Sequence, residues 1–174
     1  MLTITYLELY DHMPRQLSLE APPDTLIMQA STPLPAFYRF LYTEVGRTYA
    51  WVDRLPWTDE DLHNYLACPD IVLLVLYVQG VPAGYIELDR ANTEEPGTKI
   101  AYFGLMPAFH GRGLGRYLLS VGVQRALDDG ARRIWLNTCT LDGPYALANY
   151  QARGFVAYKQ HTYPAFHPNA GGAQ

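Results

Sequence analysis

Residues 105–116 read LMPAFHGRGLGR and join a short apolar segment, 99–106, to an amphipathic segment, 113–129. Three alternating glycines allow the backbone to curl with its N–H groups facing inward, and a helix that follows adds the positive end of its dipole. Arg112 and Arg116 contribute charge and paired hydrogen-bond donors. The stretch therefore predicts a strand, a phosphate-binding turn and a helix. The alternative is a glycine-rich turn that only closes a strand–helix corner.

The two common phosphate-binding motifs do not describe this turn. A dinucleotide-binding fingerprint that starts at Gly111 requires glycine at its sixth position, where Arg116 stands. A P-loop requires Gly-Lys followed by Ser or Thr, and the sequence contains no such run. The turn belongs to neither class.

Two different orders of elements lie on either side of the turn. The first half predicts a meander of antiparallel strands, and the second half predicts β-α-β-α-β. The predicted strands cover residues 3–9, 25–29, 71–78, 83–89, 99–106, 133–139 and 155–160, and the predicted helices cover 35–46, 58–67, 113–129 and 144–153. Because no linker divides these elements, we predict one mixed α/β domain over residues 1–174.

The composition excludes several classes of protein. A chain of 174 residues with 49% hydrophobic and 17% charged residues is neither disordered, nor a coiled coil, nor collagen-like. Two cysteines, Cys68 and Cys139, are too few for a disulfide scaffold, and the five histidines lack metal-ligand spacing. The amino terminus has no signal-like pattern, and the longest apolar run, 71–78, is shorter than the ~20 residues of a membrane helix. We expect a cytoplasmic protein without a metal or a membrane partner.

Charge is distributed unevenly along the chain. The net charge of −4 argues against general nucleic-acid binding. Residues 1–98 hold five basic and 14 acidic side chains, whereas residues 99–174 hold eight and three. The second half is therefore suited to an anionic ligand and the first half to a cationic one, unless the asymmetry is ordinary surface variation.

Two motifs in the second half resemble those of a known family. The pattern His110-x-x-Gly113-x-Gly115 resembles the acetyl-CoA loop of the GNAT N-acetyltransferase superfamily, which has Gln or Arg in place of the histidine. The run Ala146-x-x-x-Tyr150-x-x-x-Gly154-Phe155 resembles that family's helix-to-strand signature. A further departure is Gly143, where many members have Asn. The resemblance covers residues 99–160 and marks them as an acetyl-CoA-binding half, with 1–98 as the acceptor-side half and 161–174 as a tail.

The resemblance implies a fold and a donor site. The fold is a central mixed, mostly antiparallel sheet with helices on both faces, in which the splayed strands 99–106 and 133–139 form the acetyl-CoA cleft. The backbone near Phe103 and Leu105 would pair with the pantetheine arm. The pyrophosphate would lie on the loop residues His110, Gly111, Arg112, Gly113, Leu114, Gly115 and Arg116.

The resemblance also implies a reaction, the direct attack of an amine on the thioester. Tyr150 is the candidate acid for the leaving thiolate, because a phenol with an ordinary pKa near ~10 is protonated at neutral pH. The alternative for Tyr150 is packing in the core. Glu87 is the candidate base, with a solvated carboxylate as the alternative; Asp142 and the carboxylates around Trp57 are further candidates.

The acceptor side is predicted around residues 49–61. Trp51 and Trp57 lie among acidic residues and could wall a pocket for an amine through cation–π contacts, or anchor two helices in the core. We therefore expect an acetyl-CoA-dependent N-acetyltransferase acting on a primary amine of a small molecule or peptide. The alternative is a catalytically inactive acyl-CoA-binding or regulatory module. The aromatic tail residues Tyr163 and Phe166 leave a homodimer possible.

Overall fold

A single seven-stranded sheet forms the centre of the molecule, and a computed structural model describes residues 1–164 of it. The strands are β1 Leu2–Tyr10, β2 Thr25–Gln29, β3 Ile71–Val78, β4 Val81–Asp89, β5 Thr98–Leu105, β6 Arg133–Cys139 and β7 Val156–Tyr163. The helices are α1 Pro35–Gly46, α2 Asp59–Leu66, α3 Leu114–Asp128 and α4 Ala146–Arg153. The strand order is β2-β3-β4-β5-β6-β1-β7, and every neighbouring pair is antiparallel except β5 and β6. The predicted fold class is confirmed.

The parallel pair β5–β6 splays apart after its first residues. Only Thr98 with Ile134 and Lys99 with Trp135 are in register, so the rest of the two strands borders a V-shaped cleft. The guanidinium of Arg133 holds the apex of this V, with hydrogen bonds of 2.8 Å to Glu8 and 2.9 Å to Glu95. The sheet therefore consists of a first half-sheet, β2-β3-β4-β5, and a second half-sheet, β6-β1-β7. The two are joined only where β5 and β6 begin, beside Arg133.

Helices cover both faces of the first half-sheet, because its strands are apolar on both sides. Along β3, alternate residues face opposite ways: Leu74 joins the larger core, and Leu73 joins a second core under α1 and α2. Helix α3 packs closely on the larger core at Gly122, where a side-chain carbon would lie 2.4 Å from Ile86. The cleft is thereby supported from both faces.

The second half-sheet contains an arrangement that the sequence did not predict. Strand β1 lies between β6 and β7, with Leu7 opposite both Leu136 and Ala157. Strand β7 also continues to Tyr163, so the predicted strand end at residue 160 was wrong by three residues. Tyr163 pairs with Leu2 of β1, and this pairing extends β7. Phe166 lies outside the described residues.

None of the helices among residues 1–164 has both the length and the apolar character needed to cross a membrane.

Candidate active site

The glycine-rich turn connects β5 to α3 with two left-handed residues. After a single 3-10 turn at Pro107–Phe109, Gly111 and Gly113 have φ values of +76° and +73°, which favour glycine. Gly113 is the N-cap of α3 and provides no side-chain hydrogen bond to the first helical turn. The N–H groups of that turn therefore face the end of the cleft without a side-chain cap, which is the geometry of an anion site.

Two arginines accompany this turn. Both Arg112 and Arg116 are exposed, and within residues 1–164 neither forms a salt bridge to an acidic side chain. Arg112 donates one hydrogen bond, of 3.2 Å, to the Ala108 carbonyl. The turn therefore carries two positive charges that remain available to an anion.

The backbone of β5 supplies hydrogen-bonding groups to the cleft. The Met106 N–H donates to the Ala83 carbonyl at 2.8 Å, so this residue bonds toward β4. Since neighbouring residues of an antiparallel strand point their peptide groups in opposite directions, Leu105 and Phe103 direct theirs toward the cleft. These are the two residues for which pantetheine pairing was predicted.

His110 lies against the cleft strand. Its Nε2 atom is 2.9 Å from the Leu105 carbonyl oxygen, which can only accept, so that nitrogen carries the proton. The Tyr49 hydroxyl lies 3.3 Å from the same nitrogen, and the two rings stack with centroids 6.3 Å apart. The side chain therefore contacts the predicted pantetheine strand, whereas the sequence analysis placed it on the pyrophosphate.

Tyr150 packs its ring in the core and leaves its hydroxyl free. The side chain is 7% exposed and contacts Phe103 and Phe155 edge-on, with centroids 6.0 and 6.1 Å away. Within the described part of the chain, the hydroxyl has no hydrogen-bond partner. Burial raises the pKa of Tyr150, and the Asp142 carboxylate and the nearby Tyr49 phenol raise it further. The phenol is therefore a protonated donor at neutral pH, and both predicted roles of the residue are compatible.

Glu87 is not the solvated carboxylate that was the alternative to its predicted role as the base. Its side chain is 0% exposed and accepts three hydrogen bonds, at 2.7 Å from the Tyr38 hydroxyl, 2.6 Å from Tyr65 and 2.9 Å from Arg54. Burial raises the pKa of both tyrosines and the Glu87 carboxylate raises it further, so both remain donors. Oε1 thus accepts two of these bonds and Oε2 accepts one, so side chains of the protein, rather than water, hold the carboxylate.

Arg54 fills an aromatic box above Glu87. Its guanidinium carbon lies 4.1 Å from the ring centroid of Tyr65, 4.5 Å from Trp57 and 4.9 Å from Tyr102. Burial acts to lower the pKa of Arg54, but Glu87 and the tyrosines outweigh it and raise the pKa, so the guanidinium stays charged. Trp57 thus contacts a cation, as the sequence suggested, but that cation is the Arg54 guanidinium of the protein itself.

Trp51 stands nearer the cleft than Trp57 does. Its ring centroid is 4.9 Å from that of Tyr102 on β5 and 6.2 Å from that of Tyr49. Gly46 at the end of α1 permits the close packing of Trp51, since a side-chain carbon there would lie 2.7 Å from the Trp51 Cβ atom. Trp51 therefore borders the cleft mouth and also contacts the core beneath it.

Sequence reasoning missed Tyr49, Asp53, Arg54 and Tyr102 as individual residues. The density of aromatic and acidic residues in segment 49–61 did identify the region. It could not show which side chain faces the sheet, because the connection between α1 and α2 has no regular period.

Comparison with known proteins identifies the family. The sequence model described as the Acetyltransferase (GNAT) family matches residues 38–155, from α1 to the start of β7. The chain belongs to the GNAT acetyltransferase family. The match includes the glycine-rich turn, the cleft strands and Tyr150, and it leaves out β1, β2 and β7.

Solved structures share the GNAT fold at low sequence identity. A GCN5-related N-acetyltransferase from Kribbella flavida superposes with a TM-score of 0.63 at 18% identity, covering 89% of this chain and 54% of that one. The aminoglycoside acetyltransferase meta-AAC0020 from an uncultured soil metagenomic sample gives 0.62 at 19%, covering 83% and 96%. The ribosomal-protein-S18-alanine N-acetyltransferase from Escherichia coli gives 0.59 at 18%, covering 78% and 79%. This chain spans about half the length of the Kribbella flavida protein and of a GCN5-related N-acetyltransferase from Sphaerobacter thermophilus.

Proposed function

We propose that this chain is an acetyl-CoA-dependent N-acetyltransferase that acts on a primary amine of a small molecule or peptide. The observation that carries the proposal is a continuous arrangement along one cleft. The start of α3, which has no side-chain cap and has Arg112 and Arg116 beside it, lies at one end of the cleft. The Tyr150 ring packs on Phe103 of the cleft strand β5, and its hydroxyl has no partner within residues 1–164.

The donor half of the cleft fits acetyl-CoA. The turn has left-handed glycines at 111 and 113, and Arg112 and Arg116 beside it form no salt bridge within residues 1–164, so both are available to a pyrophosphate. The cleft-facing backbone of Phe103 and Leu105 can pair with the amides of a pantetheine arm. Bound acetyl-CoA supplies an acetyl thioester, and the chain's own groups orient it.

Tyr150 holds the proton that the leaving sulfur requires. As the amine nitrogen bonds to the carbonyl carbon and the C–S bond breaks, the phenol donates its proton to the sulfur. Its raised pKa keeps that proton in place at neutral pH.

The amine must also lose a proton, and Glu87 is poorly placed to take it directly. Asp142 is half-buried in the β6–α4 connection and accepts hydrogen bonds from Thr138 and from the Cys139 N–H. We propose that Asp142, or a water beside it, receives the proton in place of Glu87.

The sequestration of Glu87 also favours a second candidate function, an acyl-CoA-binding module without turnover. Calorimetric titration with acetyl-CoA, with NADH as the control ligand, tests what the two candidates share. Saturable binding of acetyl-CoA alone supports both, and release of free thiol with a panel of amines then separates them. Absence of binding at millimolar acetyl-CoA would overturn both.

A further inference from the structure

Arg54 anchors the connection between α1 and α2 against the sheet. It is 8% exposed, whereas Asp53 and Leu55 on either side of it are exposed. Its guanidinium bonds Glu87 at 2.9 Å and the Tyr38 hydroxyl at 2.6 Å, and its backbone N–H donates to Tyr42. Because withdrawal of Arg54 would leave Glu87 buried and unpaired, this contact is fixed.

The aromatic box is consequently closed to any external cation. Its rings and its carboxylate have the chemistry of an ammonium site, but the guanidinium of Arg54 already lies among them. An acceptor amine must therefore bind outside the box.

Asp53, the residue before this anchor, presents a carboxylate at the cleft mouth. Its Oδ2 atom lies 3.3 Å from the hydroxyl of Tyr102, which precedes the cleft residue Phe103 on β5. Among residues 1–164, Asp53 forms no salt bridge. Trp51 packs on the Tyr102 ring, so this carboxylate stands beside two aromatic side chains.

A second observation concerns Tyr150 on α4. Its side chain is 7% exposed, and its hydroxyl forms no hydrogen bond with the residues that the structure describes. Asp142 and Tyr49 both raise the pKa of this phenol. The Tyr49 ring packs against Gly143, next to Asp142, and its centroid is 6.2 Å from that of Trp51. Tyr49 therefore connects the aromatic side chains beside Asp53 to the candidate acid.

We propose that Asp53 binds the ammonium group of the acceptor, with Trp51 and Tyr102 contacting the apolar or aromatic group that carries it. The acceptor class is a primary amine on an apolar or aromatic scaffold. This inference rests on the proposed function, because it assigns the acceptor subsite of that reaction.

The test is acetyl transfer to phenethylamine, measured by thiol release, in wild type and in Asp53→Asn. The substitution keeps the shape of the side chain and removes its charge. We expect the KM for phenethylamine to rise about tenfold or more, with a smaller change in kcat and an unchanged Kd for acetyl-CoA. Glu60→Gln, which neutralises another exposed acid of the same region, should leave all three values unchanged.

A second variant, Tyr102→Phe, removes the hydroxyl that contacts Asp53 and keeps the aromatic ring. Its KM for phenethylamine should rise by a smaller factor than that of Asp53→Asn. An unchanged KM in Asp53→Asn overturns the role of Asp53. Transfer to other amines but not to phenethylamine overturns the acceptor class. A failure of wild type to bind acetyl-CoA overturns the proposed function instead, so the two failures are distinguishable.

Discussion

The Nε2 atom of His110 lies 2.9 Å from the carbonyl oxygen of Leu105, on the side of β5 that faces the cleft. The GNAT-like loop and the cleft strand are thus tied together by a side chain that stands where related loops have Gln or Arg. A pantetheine arm that pairs with Leu105 would compete with this hydrogen bond for the same oxygen.

His110→Ala should therefore bind acetyl-CoA more tightly than wild type. Loss of one competing hydrogen bond, which contributes about 1 kcal/mol, corresponds to a Kd for acetyl-CoA that is roughly fivefold lower. Calorimetric titration measures it, with the exposed His63→Ala as the matched control. Weaker binding by His110→Ala would show instead that the imidazole contacts the cofactor, as the family resemblance implies.

Arg112→Ala should weaken the binding of acetyl-CoA by about tenfold or more, because a charged hydrogen bond to phosphate contributes roughly 1.5–3 kcal/mol. The loss should shrink at high salt, since the group is exposed. Arg132→Ala removes another exposed arginine from the same half of the chain and should leave the affinity unchanged. Equal affinities of both variants and wild type would contradict the assignment of the phosphate-binding turn.

Tyr150→Phe should lower kcat by about 10²–10⁴-fold with little change in the Kd for acetyl-CoA, as expected for loss of a general acid. Stability should hardly change, because the hydroxyl has no partner among residues 1–164. Tyr145→Phe alters an 82% exposed phenol just before the same helix and serves as the control. Turnover equal to wild type would remove Tyr150 as the acid.

The raised pKa of Tyr150 also predicts how the rate depends on pH. A phenol with an ordinary pKa would lose its proton near pH ~10. Because the folded-state pKa is raised, the proton remains bound through that range, so kcat should not fall near pH 10 for this reason. A fall that is present in wild type and absent in Tyr150→Phe would contradict the raised pKa.

Glu87→Leu and Arg54→Met should each lower the free energy of unfolding by about 3–5 kcal/mol, because each leaves a buried partner without its counterpart. The double variant Arg54→Met with Glu87→Leu should cost less than the sum of the single effects, since it removes both charges. Urea unfolding of the four proteins measures this coupling. Additive effects would mean that the two side chains do not depend on each other.

Local sequence pattern was sufficient for most of the elements and for the turn. The uninterrupted apolar run of β3, the Thr58 capping box and the glycines at 111 and 113 are features of a few neighbouring residues, so they can be read from the chain directly. The two family motifs, which lie close together in sequence, identified the family and the cleft.

Tertiary structure alone decided the pairing of Arg54 with Glu87, the contact of His110 with Leu105 and the place of β1 between β6 and β7. The sequence pattern around Glu87 predicts a strand whether its carboxylate is solvated or bonded to a guanidinium. Its partner Arg54 lies 33 residues earlier in the chain, so the local pattern does not reveal the pair. Strand β1 pairs with a segment more than 120 residues away, as with Leu7 and Leu136. Such choices are made by the free energy of burying apolar surface and satisfying charges across the whole fold, which no local pattern contains.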